Sequence, residues 1–264
     1  MAKSHSGQKD GIGETLKTVA YAILIALVFR SFLFQPFWIP SGSMKSTLLI
    51  GDYIFVSKYS YGLSKHSFPF SMGPFDGRLF ASDPERGDVV VFRHPTRNED
   101  FVKRLVGLPG DKIQMRRGVL FINGEAARQT PDGEFVEPVD PNPKRHQECK
   151  RRETRAGEVV CVKDRLIETL PNGVDHLVLN ANDDLPNANP IYPNPDNTPV
   201  FTVPEGHFFF MGDNRDNSGD SRGGVGMVPF ENLLGRAEII AISADGPFYE
   251  VWNWRFDRFL SVIR

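Results

Sequence analysis

Cysteine is scarce in this chain of 264 residues, and histidine is scattered. Cys149 and Cys161 are the only cysteines, and two thiols with no neighbouring cluster of histidines cannot complete a structural zinc site. His5, His66, His94, His146, His176 and His207 show no H-E-x-x-H spacing, and no G-x-S-x-G elbow is present. A zinc hydrolase or a histidine-dependent serine hydrolase therefore lacks its signature, and nothing calls for a metal or other cofactor. The formal net charge of -2 supplies no basic field, which argues against a nucleic-acid partner. No uninterrupted apolar run reaches the roughly 20 residues of a simple membrane span. Glycine (24), proline (20) and phenylalanine (21) are abundant instead, and they punctuate and fill short apolar runs, which points to a mainly β protein.

Residues 1–17 read as a polar tail, with Lys3, Lys9 and Lys17 set against Asp10 and Glu14. From Val19 to Phe29 every residue is apolar; Arg30 and Ser31 interrupt, and Phe32, Leu33 and Phe34 continue the pattern. A buried core helix would show a polar face, and this run has none. A cleaved signal peptide ending at Ser41-Gly42-Ser43 would have bulky Phe37, Trp38 and Ile39 crowding its cleavage site. The favoured expectation is one membrane-spanning helix over 18–37, with Lys17 and Arg30 snorkelling and Phe37 and Trp38 at the interface.

Strand-length runs follow at Tyr53–Val56, Val89–Phe92, Phe101–Val106, Lys112–Met115 and Val119–Ile122, with turn signals at Arg116-Arg117-Gly118 and Asn123-Gly124. Residues 124–199 shift to Pro, Asn, Asp and charge and read as a smaller inserted lobe. Strands resume at Phe208–Met211 and Ala237–Ile242, so 38–123 and 200–264 are expected to form the main β domain. Trp252, Phe256, Phe259, Leu260 and Ile263 fall at helical spacing and predict a short C-terminal amphipathic helix, docked on the sheet or lying on anionic lipid. Cys149 and Cys161 either pair or stay as thiols. A disulfide is the better reading, worth roughly 2 to 3 kcal/mol for so short a loop and indicating an oxidising compartment.

With histidine set aside, a Ser/Lys dyad is the remaining nucleophile and base. In Phe101-Val102-Lys103-Arg104-Leu105-Val106 the strand period of two sends Lys103 and Arg104 to opposite faces. An inward Lys103 would be desolvated, and lowering a lysine from about 10.4 to about 8 takes roughly 3 kcal/mol, within the reach of burial. An ordinary solvated lysine is the alternative. Ser43 is the partner, in a turn where Gly42 permits close backbone approach and backbone N–H groups can meet an oxyanion, with the Ser41 hydroxyl as a second donor. The third segment, Gly212 to Arg222, is dense in turn formers and alternating charge. Asp213, Asp216 and Asp220 there do not follow a calcium-loop pattern.

Taken together, Ser43-Met44-Lys45-Ser46-Thr47-Leu48, Arg86-Gly87-Asp88-Val89-Val90-Val91-Phe92, Lys103-Arg104-Leu105-Val106-Gly107-Leu108-Pro109-Gly110-Asp111 and the Gly212–Arg222 loop resemble the bacterial type I signal peptidases. The resemblance implies Ser43 as nucleophile, Lys103 as general base, Ser41 with the Ser43 amide at the oxyanion, and Ser218 orienting the lysine amine. It implies structural ion pairs Arg104 with Asp213 and Asp220 with Arg222, and an all-β catalytic domain with a smaller β lobe carrying the cysteines. The implied substrates are preprotein signal peptides cut after small-x-small residues, by a single-pass enzyme of the bacterial cytoplasmic membrane with its catalytic domain outside, near the secretion translocon. Phe68, Phe70, Phe75 and Phe80 form an apolar rim for the lipid bilayer on that view, or core packing. Ser46 departs from the family's common proline. The rival readings are a soluble self-cleaving Ser/Lys repressor and a membrane-tethered β scaffold without catalysis.

Overall fold

The computed structural model describes residues 10–68, 77–140, 147–181 and 195–264, without the side chains of 10–12, 26–32 and His66. Among the described residues it contains one α-helix, Asp10–Phe32, and is otherwise built of strands and short 3-10 turns.

The main sheet is antiparallel and runs, in spatial order, Phe34–Trp38, Asp52–Ser57, Leu233–Ser243, Val89–Arg93, Asp100–Gly107, His207–Met211 and Val228–Pro229, with Ser261–Val262 also paired to Leu233–Ser243. Its central strands are apolar at nearly every position because both faces are covered. Val89 and Val91 enter one core with Ile39, Met44, Leu48, Ile54 and Ile240, while Val90 and Phe92 enter another with Leu105, Phe208 and Phe210. Phe209 and Met211 point the other way, into a third core with Ile113, Leu120 and Ile122. That third core lies under a smaller sheet of Phe201–Thr202, Lys112–Arg116, Val119–Ile122 and Glu125–Ala126. Its two hairpins turn at Arg117 (φ 46°) and Gly118 (φ 73°), and at Asn123 (φ 55°) and Gly124 (φ 88°), the paired positive φ of two-residue β-turns. A further sheet places Glu158–Thr169 between Arg128–Pro138 on one side and Arg151–Arg155 with Asp175–Asn180 on the other. Cys149 and Cys161 form a disulfide at the end of this sheet.

Three expectations are corrected. The helix begins at Asp10, so the last part of the polar tail is helical, and it stops at Phe32, so Phe34–Trp38 is a strand paired with Asp52–Ser57 rather than the end of a span. Residues 13–25 of this helix are all exposed, which excludes a core helix. Among the described residues no helix is long and apolar enough to cross a membrane. The C-terminal amphipathic helix does not form: the stretch makes 3-10 turns at Val251–Asn253 and Phe256–Arg258 and the strand Ser261–Val262, with Leu260 at φ 55°. Tertiary bonds override the helical spacing there. Arg255 donates to the Ile50 carbonyl (2.7 Å), Arg258 to Asp52 (2.6 Å), and the Arg255 amide to the Ser243 carbonyl (2.9 Å). The rings of Trp254, Phe256 and Phe259 gather against one another instead of along a helix face. Of the phenylalanine rim, Phe80 is exposed and Phe68 half-buried, whereas Phe70 and Phe75 lie outside the described residues.

Candidate active site

Ser43 sits in a turn hung between the first two strands of the main sheet. Ile39, Met44 and Leu48 anchor the turn in the core, and the amides of Thr47 and Leu48 donate to the Met44 carbonyl. Ser46 adopts φ 85°, a left-handed conformation closed to proline, whose ring fixes φ near -65°. The family's proline is thus absent where this backbone has no room for it, and the Ser46 hydroxyl instead donates to the Leu177 carbonyl (3.1 Å).

Lys103 lies on the strand Asp100–Gly107, only 2% exposed, with its amine 2.7 Å from Ser43 Oγ and 2.9 Å from the Val102 carbonyl oxygen. The Phe101 ring centroid is 5.3 Å from the amine. Burial pushes the ammonium down to about 8, against the pull of Asp220 and Asp213 and with help from Arg222. Ser41 Oγ is 3.4 Å from Ser43 Oγ. Arg104, on the opposite face of the same strand, is buried by pairing: its Nε and one terminal nitrogen donate to the two Asp213 oxygens at 2.8 Å each. Burial alone would raise the Asp213 carboxyl, yet Arg104 holds it below the ordinary carboxylate range, and Arg222 does the same for Asp220. Arg222 grips Asp220 at 2.8 and 2.9 Å.

The Gly212–Arg222 loop reaches the nucleophile through its backbone. The Asn214 amide donates to the Ser43 carbonyl (3.0 Å) and its side-chain amide to the Gly42 carbonyl (2.8 Å). A side chain on Gly212 would lie 2.2 Å from Ser218 Oγ and 2.5 Å from the Ser43 carbonyl oxygen, so only glycine permits this approach. Ser218 is brought into the site, where its buried hydroxyl lies against Asp220 and helps hold that carboxyl low, while the Lys103 amine bonds to Ser43 and the Val102 carbonyl. Asp213 and Asp220 are each taken by an arginine, and Asp216 accepts from the Ala181 amide (2.6 Å).

Two spaces open on Ser43 and its neighbours. One, of about 380 Å³, extends from Ser43 and Lys103 to Lys45, Glu137, Lys163, Asn214 and Asn217. The other, of about 350 Å³, is a mostly apolar groove beside Ser41 and Lys103, walled by Phe37, Trp38, Ile39, Val91 and Val102. Sequence reasoning missed Lys45, Glu137 and Lys163, and it also missed a cluster behind the loop in which Arg215 grips Glu168 beside His176. Burial, and then Arg104, push the His176 imidazolium down to about 4, leaving it neutral at physiological pH.

The family model described as "Signal peptidase, peptidase S26" matches residues 12–242. The chain is 40% identical over 251 residues to Signal peptidase I of Rickettsia typhi, covering 92% of this chain and 85% of that one. It is 43% identical over 228 residues to Signal peptidase I of Rickettsia akari, covering 85% of this chain and 77% of that one. It belongs to the signal peptidase I family. The solved signal peptidase I of Enterococcus faecalis V583 also matches, at 25% identity and a TM-score of 0.30, covering 59% of this chain and 97% of that one. As a family member the chain is a serine endopeptidase, a hydrolase of the signal peptidase I class. That membership sets aside the self-cleaving repressor and the scaffold without catalysis.

Proposed function

We propose that this signal peptidase I cleaves preproteins with Ser43 as nucleophile and the neutral Lys103 amine as general base. The observation that carries the reading is the 2.7 Å contact between the two groups, with the lysine buried and its ammonium lowered to about 8. One N–H of the neutral amine donates to the Val102 carbonyl, which aims the lone pair at the serine hydroxyl. Ser43 Oγ attacks the scissile carbonyl carbon as its proton passes to Lys103 Nζ. The oxyanion that forms is met by the Ser41 hydroxyl and the Ser43 amide. The Lys103 ammonium then protonates the departing amine, releasing the mature chain and leaving an acyl ester on Ser43. A water gives its proton to the again neutral Lys103 and attacks the ester, and the Lys103 ammonium returns that proton to the departing Ser43 Oγ, freeing the signal peptide and restoring the dyad.

The groove beside Ser41 takes the small residues at the first and third positions before the cut, since its walls are mostly apolar and Lys103 of the dyad lines it. Arg104–Asp213 ties the lysine strand to the loop, with the Thr47 hydroxyl of the nucleophile turn also donating to Asp213, and Asp220–Arg222 braces the loop internally. The exposed apolar side chains of the helix, among them Leu16, Tyr21, Leu24 and Ile25, have lipid as their natural solvent. On this reading the helix anchors the enzyme in the bacterial cytoplasmic membrane, with the catalytic domain on the outer face where signal peptides emerge. Incubating the detergent-solubilised protein with a synthetic preprotein tests the mechanism: the wild type cuts it, and Ser43→Ala and Lys103→Ala, both still folded, do not. Cutting by either variant refutes the dyad.

A further inference from the structure

The two spaces that meet at Ser41 and Lys103 differ in chemistry. The groove beside Ser41 is mostly apolar, with Glu99 and Asp100 also in its lining, whereas the pocket that Ser43 itself lines ends in a charged wall of Lys45 with Glu137 and Lys163 from the sheet around Glu158–Thr169. Lys45, two residues after the nucleophile, lays its stem over Gly42: a side chain there would meet its Cε at 2.9 Å and its Cδ at 3.1 Å. Its ammonium reaches across to pair with Glu137, which lies 92 residues later. Lys163 approaches the other Glu137 oxygen at 3.4 Å and donates to the side-chain oxygens of Asn214 (3.1 Å) and Asn217 (2.7 Å). Burial would raise the Glu137 carboxyl, but Lys163 and Lys45 together hold it below its ordinary value, so it stays charged. One carboxylate thus stands between two ammonium groups. Arg97 and Asp140, which line the same pocket, add one charge of each sign. Of the trio, Lys45 is the member most open to the pocket, its side chain 19% exposed against 9% for Glu137 and 1% for Lys163.

We propose that the Lys45–Glu137 pair is a specificity determinant for the mature side of the scissile bond, favouring acidic over basic residues at the first mature positions. The inference rests on the catalytic reading above. If the residues before the cut occupy the apolar groove, the chain continuing past Ser43 enters the charged pocket. An incoming carboxylate meets Lys45 in a partly desolvated setting; an incoming ammonium meets a wall already in excess of positive charge. Glu137 acts on this preference through Lys45, by holding its ammonium in place and offsetting part of its field.

The test compares kcat/KM for two internally quenched peptides, identical up to the cut and carrying Glu or Lys at the first two mature positions. Wild type is expected to favour the Glu peptide by roughly three- to fivefold, the range open to a partly exposed charge contact. Lys45→Met removes a cation and is expected to lower this ratio. Glu137→Gln removes the opposing anion and is expected to raise it. A merely structural role would slow both peptides alike and leave the ratio where it was, and the ratio is independent of how much of a variant folds. If Glu137→Gln yields no active protein, Lys45→Met decides alone. A wild-type ratio of 1 or below, a ratio unmoved in Lys45→Met, or two active variants moving it the same way overturns the proposal. Cleavage of both peptides by Ser43→Ala would instead defeat the catalytic reading and this inference with it, whereas charge-independent cleavage by the wild type defeats this inference only.

Discussion

A lysine kept dry beside a serine hydroxyl weakens the fold that holds it, because water in the unfolded chain solvates the ammonium freely. Lys103 forms no ion pair among the described residues, unlike Lys163, which has Glu137 at 3.4 Å. Lowering its ammonium from 10.5 to about 8 by burial corresponds to roughly 3 kcal/mol of lost stability. The sign follows from proton counting: between about 8 and 10.5 the unfolded state binds more protons, so stability rises with pH there. The loss is complete below about 8 and gone above 10.5. Lys103→Met is therefore expected to be inactive but more stable than wild type at pH 7, with the difference shrinking as thermal or urea melts are taken up to pH 10. Ser46 offers a second test at this scale. At φ 85° proline cannot be accommodated, so Ser46→Pro should cost about 3 kcal/mol or more and most of the activity. Ser46→Gly relieves the strain but gives up the bond to Leu177, and a melt within about 1 kcal/mol of wild type is expected.

Among the elements, the strand Asp100–Gly107 shows why part of the site was legible. Alternation separates Lys103 from Arg104, and the structure buries both by different means, one beside Ser43 and one clamped by Asp213. Runs such as Val89–Phe92 and Phe208–Met211 announce strands because both faces of the sheet are covered. The C-terminal stripe misled because Arg255 and Arg258 bind the sheet and the nucleophile turn more strongly than three turns of helix could be stabilised locally. Lys45, Glu137 and Lys163 carry no local signal at all, since pairing across 92 residues is decided by the fold. The loop from Gly212 was recognised by its turn formers, but its backbone contact with Ser43 was not. Gly212→Ala should push the loop off the nucleophile turn and lower kcat at least tenfold, while near-UV circular dichroism stays native. Wild-type kcat would show that the contact is dispensable.

At the scale of the whole molecule, three cores, the nucleophile turn and the loop after the strand His207–Met211 close around one amine. The main sheet supplies the strand, and the arginine pairs on both sides of the dyad neutralise the buried carboxylates that would otherwise draw the lysine back to its charged form. The enclosing framework, more than any one neighbour, is what lowers the ammonium. Titrating the Lys103 side chain in the intact protein by ¹³Cε and ¹⁵Nζ NMR reads this directly, with Lys103→Arg to assign the resonance. A midpoint near 8 is predicted, moving back above 10 on denaturation; a midpoint near 10.5 in the folded enzyme would contradict the account.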